Sequence, residues 1–142
     1  MSAGAAMRVI AHNGQLSRVR GLVDLIVHQK TDQALISAIN KVYEISRGPI
    51  ALSSYVSNFG EERIAILKVL NNQEFIAAGI RVGAFNEAVY KEMQFSNVRK
   101  LYEVAAGFIS DMRAAEKNET IFQDFEGLAL RWGREPLKKI RA

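Results

Sequence analysis

The chain has 142 residues, 19 Lys/Arg against 15 Asp/Glu for a net charge of +4, two histidines and no cysteine. That length suits one domain able to bury a core without covalent staples. The missing thiols exclude disulfides, thiolate zinc sites and cysteine nucleophiles, and no apolar run approaches the ~20 residues of a membrane-spanning helix.

Residues 1–14 lack the apolar core of a signal peptide and are expected to form a flexible arm. Apolar residues then recur at helical spacing almost to the end, with no stretch of period two. The first helix is predicted over about Leu16 to Gln29, with Leu16, Val19, Leu22, Val23, Ile26 and Val27 on one face. Asp24 and His28 lie four apart on its polar side and read as a solvated pair. The second helix starts after Thr31 or Asp32, either of which can act as N-cap, and its stripe is Leu35, Ala38, Ile39, Val42 and Ile45. Gly48 and Pro49 form its stop signal. Ile50 to Gly60 reads as a loop with one helical turn around Leu52 to Val56.

The third helix, about Glu61 to Val82, is apolar on two sides. Ile64, Leu67, Asn71, Phe75, Ala78 and Val82 line one face; Ile66, Val69, Ile76, Ala77 and Ile80 line the opposite one. A helix of this kind is expected to lie buried between others, so the predicted fold is all-α, a compact bundle of five or six helices around the 61–82 helix. Gly83 ends it. Asn86 caps the next helix, Phe85 and Tyr90 have the spacing of a hydrophobic staple, and Glu87 and Lys91 that of an ion pair. The Val89/Met93 stripe and the Val98–Met112 stripe differ in phase by roughly 100°, which predicts a break or kink near Ser96. The last helix is predicted from Thr120, where Thr120-x-x-Gln123 has capping-box spacing, with Ile121, Phe122, Phe125, Leu128, Ala129 and Trp132 as its apolar face. Residues 15–135 thus form the expected domain and 136–142 a basic tail.

Three segments are similar to one family. Asn71-Asn-Gln-Glu74-Phe75-Ile76-Ala77-Ala-Gly79-Ile80, Phe85-Asn-Glu-Ala-Val-Tyr90 and Phe125-Glu126-x-Leu128-x-x-Arg131-Trp132 resemble an uncharacterised family of small all-helical proteins of bacteria and their phages. Arg18-Val-Arg20-x-Leu-x-Asp24-Leu25 fits its opening helix. The resemblance implies an all-helical fold and a phage or prophage origin, and brings no mechanism. Some members carry a membrane helix before the domain; this sequence shows none.

Candidate sites are few. Asn71, on an apolar stripe, is expected to be a buried amide satisfied inside the fold, with a ligand-orienting role as the alternative. Glu74, on the side that carries Arg63 and Arg81, is expected to be a buried carboxylate paired with an Arg of a neighbouring helix. The alternative, a general base, lacks a second convergent group. Gly79 and Gly107 inside helical patterns point to close helix–helix approach. Trp132 with Arg131 and Arg134 is the candidate interface, since Trp and Arg are enriched in binding hot spots; the competing reading of Trp132 is a core-edge residue whose indole N–H finds a partner. Two histidines without cysteines make a poor zinc set, and no catalytic residue, metal or cofactor is expected.

The charge is uneven: +3 over residues 1–60, −3 over 61–130 and +4 over 131–142. A nucleic-acid face built into core helices should not look like this. The expected function is therefore a cytoplasmic, non-enzymatic protein-binding module with no membrane role. An adaptor or inhibitor of a host complex is one form of it, and a second copy of the chain is one candidate partner. The alternative is nucleic-acid binding through the basic ends, using Arg134, Lys138, Lys139 and Arg141.

Overall fold

A computed structural model describes residues 3–140. It contains five α-helices and one 3-10 turn and, among the described residues, no strand. Helix α1 spans Ala3–Thr31, α2 Gln33–Arg47, the 3-10 turn Leu52–Tyr55, α3 Glu61–Arg81, α4 Glu87–Glu116 and α5 Gln123–Arg134. Helix α3 packs between α2 and α5, and α4 packs against α5 and the 3-10 turn. One hydrophobic cluster draws on every element, from Leu22 and Ile26 of α1 to Phe125, Leu128, Ala129 and Trp132 of α5. Among the described residues, no helix is long and apolar enough to cross a membrane.

Helix α1 begins thirteen residues earlier than the sequence pattern suggests, so the expected arm is helical from Ala3 onward. The segment is rich in alanine and free of proline, and extending an existing helix avoids the costly nucleation step. Its described side chains from Val9 to Ser17 are all exposed. The predicted six-residue face is also corrected. Only Leu22 and Ile26 are buried, because α1 meets α2 through its C-terminal half; Leu16, Val23 and Val27 face outward.

The caps follow local chemistry where a short polar side chain is available. Asp32 Oδ1 accepts from the Leu35 N–H at 3.1 Å and starts α2, while the Thr31 hydroxyl turns back to the Val27 and His28 carbonyls. His28 faces Asp32, at 3.9 Å, and not Asp24. Gly48 ends α2 in an extended conformation, φ −90°. Asn86 Oδ1 accepts from the Val89 N–H at 3.0 Å and starts α4. Gly83, with φ +83°, supplies the left-handed residue after α3.

Two expectations about the longer helices fail for identifiable reasons. Helix α4 runs for 30 residues without interruption. The apparent phase shift came from taking Val89 and Met93 as core. The buried residue of that turn is Tyr90, which lies on the same face as Val98, Leu101, Ala105, Phe108 and Met112, so one face serves the whole helix. Helix α3 is buried on one side only. Ile66, Val69, Leu70, Ile76, Ala77 and Ile80 enter the core, whereas Ile64, Phe75 and Val82 are 68%, 63% and 66% exposed.

Candidate functional site

Helix α5 is only 12 residues long, and polar groups from α3 and α4 hold both of its ends. Its first residue is Gln123 and not Thr120, and Phe122 precedes it in the left-handed region, φ 55°, with no side chain of its own to cap the helix. The cap comes from a distant residue. Glu74 Oε1 accepts from the Phe125 N–H at 2.7 Å and Oε2 from the Asp124 N–H at 3.3 Å. A carboxylate there satisfies free N–H groups and sits at the positive end of the helix dipole. Beside it, Arg81 Nε donates to Asp124 at 2.7 Å. Glu74 is therefore partnered with backbone amides, not with an Arg, and both oxygens are committed.

Further along α5, Glu126 accepts from Arg113 at 3.0 Å and from the Tyr102 hydroxyl at 2.9 Å. At the C-terminal end Arg99 Nη1 donates to the Ala129 carbonyl at 2.7 Å, and Lys91 Nζ donates to the Glu135 carbonyl. Glu87 accepts from Arg131 and, at 3.2 Å, from the Trp132 indole N–H. The expected Glu87–Lys91 pair is thus replaced by two contacts to α5. Trp132 is 1% exposed, with the Tyr90 and Phe95 rings 5.9 and 6.0 Å away. That rules it out as an interface anchor: its indole is a core element tied to a carboxylate. A cleft of about 400 Å³ at the α3–α5 seam is lined by Arg81, Glu87, Asp124 and Arg131, and all four charges are already paired across it.

Gly79 has its own cause. A Cβ there would lie 2.5 Å from two Phe85 ring carbons. The close approach is by an aromatic side chain, which also meets Phe75 edge-on at 6.2 Å, and not by another helix. Gly107 has nothing within 4 Å of where its Cβ would stand.

With these groups assigned to packing, three surfaces stand open. The first is the outer face of α3. Ile64 and Phe75 of α3 and its C-cap residue Val82 lie along about 27 Å at 1.5 Å per residue, and Asn71 lies between them. Asn71 is exposed and its side chain makes no hydrogen bond to protein, which corrects its expected burial: it belongs to the outward stripe. The second is the free side of α1, where Val9, Leu16, Val23 and Val27 are between 40% and 56% exposed. The first three are spaced by seven residues.

The third surface is concave. A groove of about 540 Å³ lies between α2 and α4 with α3 as its floor. Leu35, Ile39, Val69 and Leu101 form its apolar base, and six carboxamides line it: Gln29, Asn40, Asn72, Gln73, Gln94 and Asn97. Tyr43 also lines it; burial raises its phenol, which stays a neutral donor. Among the described residues, no carboxylate lines the groove, and Lys30 is the one cation in its lining. Singly, none of these amides stands out in the sequence. Their signal is the recurrence of Asn and Gln beside apolar stripes on four helices, α1 to α4, positions where Asn has little intrinsic reason to be.

Among the described residues, no three His, Asp or Glu side chains converge as a metal site. Arg134, Lys138 and Lys139 are exposed and unpaired, and residues 136–140 have no regular structure. Arg141 lies outside the described residues. Arg131, partly exposed, is held by Glu87.

Residues 1–132 match the family model described as a domain of unknown function, DUF4760, and the chain belongs to that family. Neither the curated proteins nor the solved structures hold a match to it.

Proposed function

We propose that this DUF4760 protein is a binding module that engages a helix of another protein through the outer face of α3. The supporting observation is the exposed line of Ile64, Phe75 and the C-cap residue Val82 on the side of α3 opposite its core residues. Chains that stand alone rarely leave such a stripe uncovered. Its helical spacing suits an amphipathic helix as occupant. The polar constellations that could have suggested catalysis are engaged in contacts that dock α5, with one buried Arg113 nitrogen left without a partner. A photo-crosslinking residue at position 75 should give one discrete protein adduct in the native cells, and one at exposed Glu103 should not. The Phe75→Ser/Val82→Ser chain should fold and no longer co-purify that protein. Equal adducts at both positions, or co-purification unchanged by the double substitution, would overturn the proposal.

A second reading is favoured by the seven-residue spacing of Val9, Leu16 and Val23 on α1, the repeat of a coiled-coil seam. On this reading the partner is a second copy, paired along α1. Light scattering on the purified chain should then give a dimer that Leu16→Glu converts to a folded monomer. A wild-type monomer at all concentrations rejects it.

A further inference from the structure

The groove between α2 and α4 has the attributes of a ligand site that the outer face of α3 does not explain. The two lie on different sides of that helix: Asn72 and Gln73 line the groove, whereas Asn71 and Phe75 face outward. Its volume of about 540 Å³ falls within the ordinary range for small-molecule pockets. We propose that it binds an uncharged nucleobase, carried as a nucleoside.

Charge narrows the ligand first. With no carboxylate in the lining, nothing selects a cation or an amine. A single lysine at the rim, Lys30, cannot hold a polyphosphate, which calls for clustered donors. The ligand is therefore neutral at the part the groove encloses.

Hydrogen-bond chemistry narrows it further. A carboxamide presents a donor and an acceptor side by side in one plane. That edge pairs bidentately with adjacent donor and acceptor atoms of a base, as Asn and Gln do with adenine. The amides of Gln29, Asn40 and Asn72 make no hydrogen bond to protein, so their edges are available. Gln73 is oriented: its Oε1 accepts from the buried Tyr90 hydroxyl at 3.3 Å, which leaves its N–H groups as donors. Asn97 Nδ2 donates to Gln94 Oε1 at 3.0 Å, leaving the Asn97 oxygen and the Gln94 N–H groups free.

Shape completes the argument. Leu35, Ile39, Val69 and Leu101 give an aliphatic floor below a polar rim, which suits a flat ring with apolar faces and polar edges. Lys100 Nζ, 4.8 Å from the centre of the Tyr43 ring, covers one face of that ring, so the base rests on the aliphatic floor. From Leu35 to Tyr43 the α2 wall is about 12 Å long, room for one base and its ribose.

The test titrates the full chain separately with adenosine, guanosine, cytidine and uridine, following side-chain amide signals by NMR. At least one nucleoside should saturate with a dissociation constant at or below about 1 mM and shift the Asn40 and Asn72 amides. Asn40→Asp and Asn72→Leu should each weaken that binding about tenfold, the scale of one bidentate base contact. Asn40 is exposed, so Asn40→Asp keeps the fold and reads recognition alone. The matching monophosphate should bind within about threefold of the nucleoside, because one lysine adds little. Saturation by none of the four overturns the proposal. So does equal binding in both variants, or equally tight binding of N-acetylalanine amide, which would mark a peptide groove. Binding confined to triphosphates and lost with salt would also overturn it.

Discussion

Replacing Glu74 by alanine removes the acceptor for two N–H groups in the first turn of α5, those of Phe125 at 2.7 Å and Asp124 at 3.3 Å. A hydrogen bond to a charged group contributes roughly 1.5–3 kcal/mol net. The longer contact and the partial exposure of Glu74 place the pair near the value for one strong bond plus a helix-dipole contribution of about 0.5 kcal/mol. The expected loss is therefore about 2–3 kcal/mol, a fall in Tm of roughly 6–15 °C for a chain of this length. Glu74→Gln keeps one acceptor and loses the charge, and should cost about 1 kcal/mol. Urea melts give both numbers. The slope should be unchanged, because Phe125, Leu128, Ala129 and Trp132 still dock α5. A loss below about 0.5 kcal/mol for Glu74→Ala would refute the assignment of Glu74 as the α5 cap.

Gly79→Ala should destabilise by about 1–2 kcal/mol, because the displaced Phe85 ring outweighs the gain in helix propensity, while Gly107→Ala should stabilise by about 0.5–1 kcal/mol; thermal melts of the pair test the contrast. Burial raises the Tyr90 phenol, so the folded chain holds that proton where the unfolded chain releases it. Its contribution to stability is complete below about pH 10 and is lost as pH rises above it. Tyr90→Phe should flatten the alkaline fall in stability, leaving the smaller contributions of Tyr43 and Tyr102, which are shifted the same way. Deleting residues 137–142 should leave the fold intact, and any binding of the full chain to generic duplex or single strands should be weak and vanish at physiological salt; tight, salt-tolerant binding lost on truncation would favour the nucleic-acid alternative.

The elements were legible because their punctuation is local. Asp32, Asn86 and Gly83 act on neighbours within a few residues, and the stripes of α2 and α5 contain the residues that are buried. What the sequence could not show was which of two apolar faces of α3 meets the core, since periodicity gives a face and not its neighbour. The same limit misplaced Asn71. The capping of α5 by Glu74 joins residues about fifty positions apart, beyond any local pattern, and the Thr120 capping box was a match in spacing that the backbone does not use. Trp132 was legible as a core residue with a partner for its indole; that the partner is Glu87 was not. The α4 phase shift vanished once Tyr90 replaced Val89 in the core, a choice that apolarity alone decides wrongly because tyrosine carries a hydroxyl.

The most direct test of the binding account uses the absence of native cysteine. In an Asn71→Cys chain, which keeps Ile64, Phe75 and Val82 and places the thiol between them on the exposed face, the thiol should react quickly with a membrane-permeant maleimide when the purified protein is labelled. In the native cells it should react at least about tenfold more slowly, because a partner covers the outer face of α3. A Glu103→Cys chain should react alike in both settings. Equal reactivity at position 71 inside and outside the cell would show that face to be uncovered and would contradict the account.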